Sequence, residues 1–101
     1  MSRAEVFAVA QMGPVHLRDS KEHTVARLVA MLEEAHARGA RWVTFPELAL
    51  TTFFPRYVYD DANEYDQFFE EGMPSVAMRP LFERAKSLRV GFYLGYAEKT
   101  T

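Results

Sequence analysis

Residues 41–48 read Arg41-Trp42-Val43-Thr44-Phe45-Pro46-Glu47-Leu48, where an apolar run meets a proline and then a single acid. The run from Trp42 to Phe45 predicts a short buried strand, and Pro46 cannot continue the hydrogen bonds of a central strand. Glu47 is therefore expected directly after the end of a strand. Open α/β sheets bind ligands at this carboxyl edge, which makes Glu47 the candidate site residue.

Two interpretations of Glu47 remain open at this point. Apolar neighbours would keep water from the carboxyl group and raise its pKa toward the range of a general base. They are Phe45, Leu48, Leu50, Phe53 and Phe54. Alternatively, Glu47 is a partly exposed acid that caps the following turn. Perturbed acids mark functional sites only as a statistical tendency, so the residues alone support both interpretations.

Composition excludes several classes of protein. The 101 residues are 49% hydrophobic and 26% charged, as in one ordinary globular domain. A formal net charge of −2 gives no basic surplus for nucleic acid. No run approaches the roughly 20 apolar residues of a membrane span, and the start of the chain lacks the apolar core of a signal peptide, so we expect a cytoplasmic protein. Zero cysteines exclude disulfides and a cysteine nucleophile within this chain.

The first half of the chain predicts a parallel crossover unit. An unbroken apolar run from Val6 to Ala10 is typical of a strand, at 5–11, that is covered on both faces. A helix over 20–38 and a second strand at 41–45 follow it. Strand, helix and strand in this order fit a right-handed parallel unit.

The ends of the first helix carry their own signals. Asp19 with Glu22 three residues later predicts a capping-box-like start. Gly39 predicts the C-terminal stop.

The second half predicts two more helices and a third strand. A short helix is expected at 61–70, and a longer one ends near Arg89, with its start either capped by Ser75 or placed at Pro80. Val90–Ala97 is the predicted third strand, and its glycines suggest that something approaches the backbone closely. Between strand two and the short helix, Thr51–Tyr59 is so aromatic that we expect it to pack over a pocket or another part of the protein.

Metal binding is not supported by the spacing of the candidate ligands. His16, His23 and His36 are scattered, whereas zinc needs three or four convergent ligands. The acids between Asp60 and Glu71 lack the glycine and the terminal carboxylate of a calcium loop, so a solvated helix face is the preferred interpretation, Glu70 included. No phosphate-binding glycine loop is present.

The sequence resembles one enzyme family over nearly its whole length. Phe45-Pro46-Glu47-Leu48 is similar to the first catalytic block of the nitrilase superfamily of carbon–nitrogen hydrolases. More narrowly, the chain resembles N-carbamoyl-D-amino acid hydrolases in the stretches Phe45–Arg56, Met73-Pro74, Arg79–Glu83 and Gly91–Glu98. The extension from Thr51 to Arg56 is what points to this subgroup.

The resemblance implies an α-β-β-α sandwich, of which the chain carries three core strands, two long helices and one short helix. It also implies a homo-oligomer without metal or organic cofactor, which hydrolyses N-carbamoyl-D-amino acids to D-amino acid, ammonia and carbon dioxide through a Glu-Lys-Cys triad. Only the glutamate of that triad maps onto this sequence, as Glu47.

We therefore expect 1–101 to be the truncated N-terminal segment of a single domain. Its partners would be the small-molecule substrate and the remainder of the same protein, and the segment alone would be inactive. The alternative is a non-catalytic α/β module that associates through its open sheet edge, since three parallel strands leave an apolar strand unpaired.

Overall fold

The computed structural model describes residues 5–16, 18–46, 49–51, 69–70 and 72–97. They form a parallel three-stranded sheet with two helices. The elements in chain order are β1 (Phe7–Val9), α1 (Lys21–Ala37), β2 (Trp42–Thr44), α2 (Arg79–Leu88) and β3 (Gly91–Tyr93).

The strands lie in the order β1-β2-β3, and both pairs are parallel. Hydrogen bonds extend the ladder beyond the three-residue strands, because Arg41 donates its N–H to Val6 O and Phe45 donates to Tyr93 O, at 2.9 and 3.0 Å. The three predicted strands therefore occupy the expected positions, with shorter regular parts. The parallel unit predicted for the first half is confirmed in order and direction.

Both helices pack on the same face of the sheet. Crossovers of one hand between strands added in sequence order place successive helices on one side. The core therefore lies between the sheet and a single helix layer, and its fully buried members include Leu28, Leu32, Val43 and Leu81. An α/β segment with three core strands and two long helices is thus confirmed.

The start of α1 differs from the prediction. Ser20, not Asp19, is the N-cap: its backbone is extended and its Oγ accepts from the N–H of His23 at 3.1 Å. Asp19 instead accepts from the N–H of His16 at 2.8 Å. The capping-box assignment was wrong because Asp19 already closes the preceding turn, which leaves Ser20 to cap the first helical amides.

The end of α1 follows the prediction. Gly39 has a φ of 90° and donates its N–H to His36 O, and Ala40 donates to Ala35 O. These two bonds form a Schellman motif, in which glycine is favoured because the left-handed backbone strains residues with a Cβ.

α2 begins within one residue of Pro80, which is one of the two starts that the sequence predicted. Arg79 is its first residue, Pro80 follows in the first turn, and Met78 is the N-cap without a side-chain bond. A cap at Ser75 is therefore excluded. In the first turn of a helix the backbone N–H groups have no acceptor within the helix, so the lack of an N–H in proline costs no hydrogen bond there.

The short helix predicted at 61–70 lies mostly outside the described residues. Its last two positions, Phe69 and Glu70, are described and are not helical. Glu70 donates its N–H to Ala97 O at 2.7 Å, so its backbone is hydrogen-bonded to the end of the predicted third strand.

One face of the sheet is open in the described residues, so coverage of both faces stays a prediction for the complete domain. Trp42, predicted as part of a buried strand, is 48% exposed, while Val43 beside it is 1% exposed. Neither described helix is long and apolar enough to cross a membrane.

Candidate functional site

β2 leads the chain to the candidate site at the carboxyl end of the sheet. Phe45 is buried and its N–H is bonded to β3, whereas Pro46 is exposed. The strand therefore ends at the proline, as the sequence predicted. Glu47 and Leu48 lie outside the described residues, so the assignment of Glu47 stays a prediction.

The chain is anchored again two residues beyond Glu47. Ala49 and Leu50 are buried, and the N–H of Ala49 lies 3.4 Å from Gly95 O, a long and weak bond. The described flanks of the candidate acid are thus both bonded to the end of β3 and the residues that follow it.

The apolar surroundings expected for Glu47 can be checked in part. Phe45 and Leu50 are members of the buried core, and the Phe45 ring meets Phe92 edge to face at a centroid distance of 6.1 Å. The other expected neighbours, Leu48, Phe53 and Phe54, lie outside the described residues, as does most of the aromatic loop. The described part shows a water-poor layer directly beneath the end of β2.

A second carboxylate near this end of the sheet was not found from the sequence. Glu70 is 4% exposed, and its Oε1 lies 2.6 Å from Nζ of Lys21, the first residue of α1. The contact meets the distance of an ion pair without the angle of a directional hydrogen bond. Glu70 is therefore buried and paired, which corrects its assignment to a solvated helix face.

Lys21 and Glu70 are too far apart in the chain for spacing to reveal the pair. A cue in the sequence is the pair of phenylalanines, Phe68 and Phe69, directly before the acid, because apolar neighbours favour burial. A buried carboxylate in turn requires a partner of opposite charge. The pair connects the start of α1 to the segment whose backbone is bonded to the end of β3. It thereby holds three distant parts of the chain together.

A cavity of about 630 Å³ lies beside this ion pair. Its described lining combines the pair with apolar side chains and Ser75, whose buried Oγ has no hydrogen-bond partner among the described residues. None of the described residues that flank Glu47 lines it. The ammonium and the carboxylate in its wall already neutralise each other, so we do not assign this cavity to the candidate site.

The candidate metal ligands lie apart from one another in the described part of the chain. Within it, no three His, Asp or Glu side chains come together as ligands. His16 lies in the loop before α1, His23 in its first turn and His36 in its last.

Parallel α/β sheets place their sites at the carboxyl ends of strands, and in the sequence the candidate acid directly follows Pro46. The class of protein that the described residues define is an α/β protein with a parallel sheet. The sequence matches the family model of carbon–nitrogen hydrolases over residues 7–101. The chain belongs to the carbon–nitrogen hydrolase family, its fold is the N-terminal part of the nitrilase-like fold, and hydrolysis is the general chemistry of the family.

Proposed function

We propose that this chain is the segment of an N-carbamoyl-D-amino acid amidohydrolase that supplies its general base, Glu47. The proposal is supported by the family match over residues 7–101 and by the anchored chain on both sides of Glu47. The extension Thr51–Arg56 narrows the substrate class, because it is this stretch that resembles the carbamoylase subgroup. The observation that carries the proposal is that the central strand, Trp42–Thr44, is paired on to Phe45, directly before Pro46 and the acid in the sequence.

The overall reaction adds one water to the carbamoyl carbon and breaks both of its carbon–nitrogen bonds. An N-carbamoyl amino acid and water thereby give the amino acid, ammonia and carbon dioxide. A cysteine thiolate, formed as Glu47 takes the thiol proton, attacks the carbamoyl carbon, and an ammonium group stabilises the oxyanion. Glu47 returns the proton to a departing nitrogen, which leaves a thiocarbamate on the cysteine, and later takes a proton from the water that hydrolyses this intermediate. Hydrolysis releases a carbamic acid, whose remaining carbon–nitrogen bond breaks as it loses carbon dioxide.

This chemistry needs groups from outside these 101 residues. The sequence contains no cysteine, and nucleophile, base and oxyanion stabiliser must lie within hydrogen-bond reach of one another. We therefore expect the chain by itself to release no ammonia from N-carbamoyl-D-amino acids above a buffer blank.

A chimera tests the proposed role of Glu47. Residues 1–101 replace the corresponding segment of an N-carbamoyl-D-amino acid hydrolase, and steady-state ammonia release is measured. We expect turnover in the chimera and a loss of about a hundredfold or more in its Glu47→Gln variant, with KM little changed, because glutamine keeps the size of the side chain but takes no proton. Glu83→Gln, at an exposed position of α2, is the control and should keep full turnover.

The two interpretations of Glu47 give different results in this experiment. If Glu47 only caps a turn, Glu47→Gln lowers the unfolding free energy by at most about 1 kcal/mol and leaves turnover near normal. Near-normal turnover in a folded variant would end the case for Glu47 as the base.

A second recipient tests the substrate class. The same 101 residues are placed in a carbon–nitrogen hydrolase that acts on simple aliphatic amides. If the segment 51–56 belongs to a carbamoylase, it should restore activity in the first recipient by at least about tenfold more than in the second, because loops near the site must match the substrate they cover. Equal activity in both recipients would contradict the carbamoylase assignment and leave the hydrolase class intact.

A further inference from the structure

Residues 95–97, just after β3, accept backbone hydrogen bonds from two segments that are distant in the sequence. The N–H of Ala49 lies 3.4 Å from Gly95 O. Glu70 donates its N–H to Ala97 O at 2.7 Å. Gly95 and Ala97 are two residues apart, so their Cα atoms are at most about 7 Å from each other. The segments that contain Ala49 and Glu70 are therefore held close together by one short stretch of chain.

The two bonds differ in strength, and the weaker one belongs to the flank of Glu47. At 3.4 Å the contact of Ala49 is longer than the usual N–H···O range of about 2.7–3.2 Å, whereas the 2.7 Å bond of Glu70 is at its short end. The amide of Ala49 therefore does little to hold residues 95–97 in place. Tyr96 packs on the core through its side chain, and Glu70 holds the backbone of the same stretch. The position of this flank thus depends on Glu70.

Glu70 is held in two directions. Its backbone N–H is bonded to residues 95–97, and its carboxylate Oε1 lies 2.6 Å from Nζ of Lys21, the first residue of α1. The first turns of α1 are fixed in the core by Thr24 and Val25, which are both buried. The ion pair therefore links residues 95–97 to the buried end of the helix layer.

The ion pair has a buried partner and a partly exposed one. The side chain of Glu70 is 4% exposed and that of Lys21 is 25% exposed. Removal of one partner of a buried pair leaves the other charge without compensation, whereas removal of both charges is nearly neutral in many proteins. Loss of the Lys21 charge should therefore move the Glu70 carboxylate toward water, and the backbone of Glu70 should separate from Ala97 as a result.

We propose that Lys21 and Glu70 are positioning residues for the candidate base. Through residues 95–97 they fix Ala49, which lies two residues beyond Glu47 in the sequence. Neither side chain needs to touch the substrate, because a displacement of about 1 Å that originates far from the reacting atoms can cost about a hundredfold in rate. An effect on turnover rests on the proposed function, whereas the position of Ala49 can be measured without it.

Amide hydrogen exchange in the 101-residue chain, followed residue by residue by NMR, tests the contacts without any activity. The amide of Phe45, which is bonded to Tyr93 O, reports on opening of the sheet as a whole. In Lys21→Met, exchange at the amides of Ala49 and Glu70 should accelerate at least about tenfold more than exchange at Phe45, because only their acceptors move. This difference separates positioning from a general loss of stability.

Three further variants serve as matched controls. Lys21→Arg keeps the charge and should leave exchange at Ala49 within about threefold of the wild type. The double variant Lys21→Met/Glu70→Gln removes both charges and should recover most of the effect of the single change. Arg84→Met breaks the exposed ion pair with Glu33 and should leave Ala49 unchanged. If Lys21→Met does not fold, Glu70→Gln takes its place with the same pattern expected, since the lysine left behind is partly exposed and can reach water.

The chimera that tests Glu47 also measures the effect of the ion pair on catalysis. Lys21→Met should lower its turnover by at least about tenfold with little change of KM, and Lys21→Arg should keep most of the turnover. In the Glu47→Gln chimera, Lys21→Met should have less than about a twofold effect, because a positioning residue acts only through the base. A residue that only stabilises the fold would lower turnover by the same factor in both chimeras.

Two outcomes would overturn the proposal. One is exchange at Ala49 that accelerates no more than exchange at Phe45 in Lys21→Met, which gives the ion pair a general structural role. The other is an equal loss of turnover from Lys21→Met with and without the Glu47 carboxylate. A chimera of the wild-type segment that releases no ammonia would contradict the proposed function instead, and exchange at Ala49 would still decide whether the ion pair positions this flank.

Discussion

The helix-covered face and the open face of this sheet are made by the same three strands, and residues adjacent in the chain have opposite environments. Val43 is 1% exposed on one face and Trp42 is 48% exposed on the other. The amino acids do not explain the difference, because both faces carry apolar side chains. The difference shows that coverage is decided by the crossovers, which place both helices on one side, and that an apolar residue is buried only where a partner layer exists.

The largest expected effect separates the two faces directly. Val43→Ala should lower the unfolding free energy by about 2 kcal/mol, at roughly 0.8 kcal/mol per buried carbon plus the cavity left behind. Val9→Ala on the open face should change it by less than about 0.5 kcal/mol. Urea unfolding at concentrations where the chain is monomeric measures both. Equal effects would mean that the open face is covered in solution.

The next effect concerns the open face alone. Gly91→Ala should destabilise the chain by about 1–2 kcal/mol, because the new methyl group forces the Trp42 indole off the sheet. The emission spectrum of Trp42 should shift at the same time. Gly72→Ala is the control, since a Cβ there meets no atom within 4 Å. An unchanged spectrum in Gly91→Ala would contradict the described position of the indole.

The smallest effect tests the outer surface of the helix layer. Glu33 of α1 accepts from both Nε and Nη2 of Arg84 of α2, at 3.1 and 3.0 Å, and both side chains are exposed. A double-mutant cycle with Glu33→Gln and Arg84→Met should give a coupling below about 1 kcal/mol that fades in high salt. A larger, salt-independent coupling would show that this pair contributes as a buried one does.

The sequence predicted the order and type of the main elements because their signals are local. Gly39 ends α1 through its own backbone conformation, and in α2 the apolar residues Leu81 and Ala85, one helical turn apart, are buried in the core. Residues of the predicted third strand also alternate between the two faces of the sheet. Phe92, Leu94 and Tyr96 pack on the core, and Gly91 lies beneath the ring of Trp42.

The remaining features depend on contacts between distant residues. Lys21 and Glu70 form an ion pair although they lie far apart in the chain, so no spacing rule joins them, and the apolar residues before Glu70 are only a weak cue to its burial. The exposure of Trp42 depends on which face the helices cover, and an apolar run does not indicate which layer covers each face of the sheet. At the first turn of α1, two adjacent residues, Asp19 and Ser20, can both cap, and only the preceding turn decides between them. Glu47 remains a prediction from sequence and family.

β2 is the strand of the described sheet with a hydrogen-bonded neighbour on each side. Amide hydrogens exchange with solvent when backbone pairs open, and edge strands open more readily than central ones. Phe45, whose N–H is bonded to Tyr93 O, should therefore be among the last amides to take up deuterium, and rapid uptake there would contradict the pairing. In the sequence, the candidate base Glu47 follows this central strand. Fraying of the edge strands at their ends therefore leaves the strand that precedes Glu47 hydrogen-bonded.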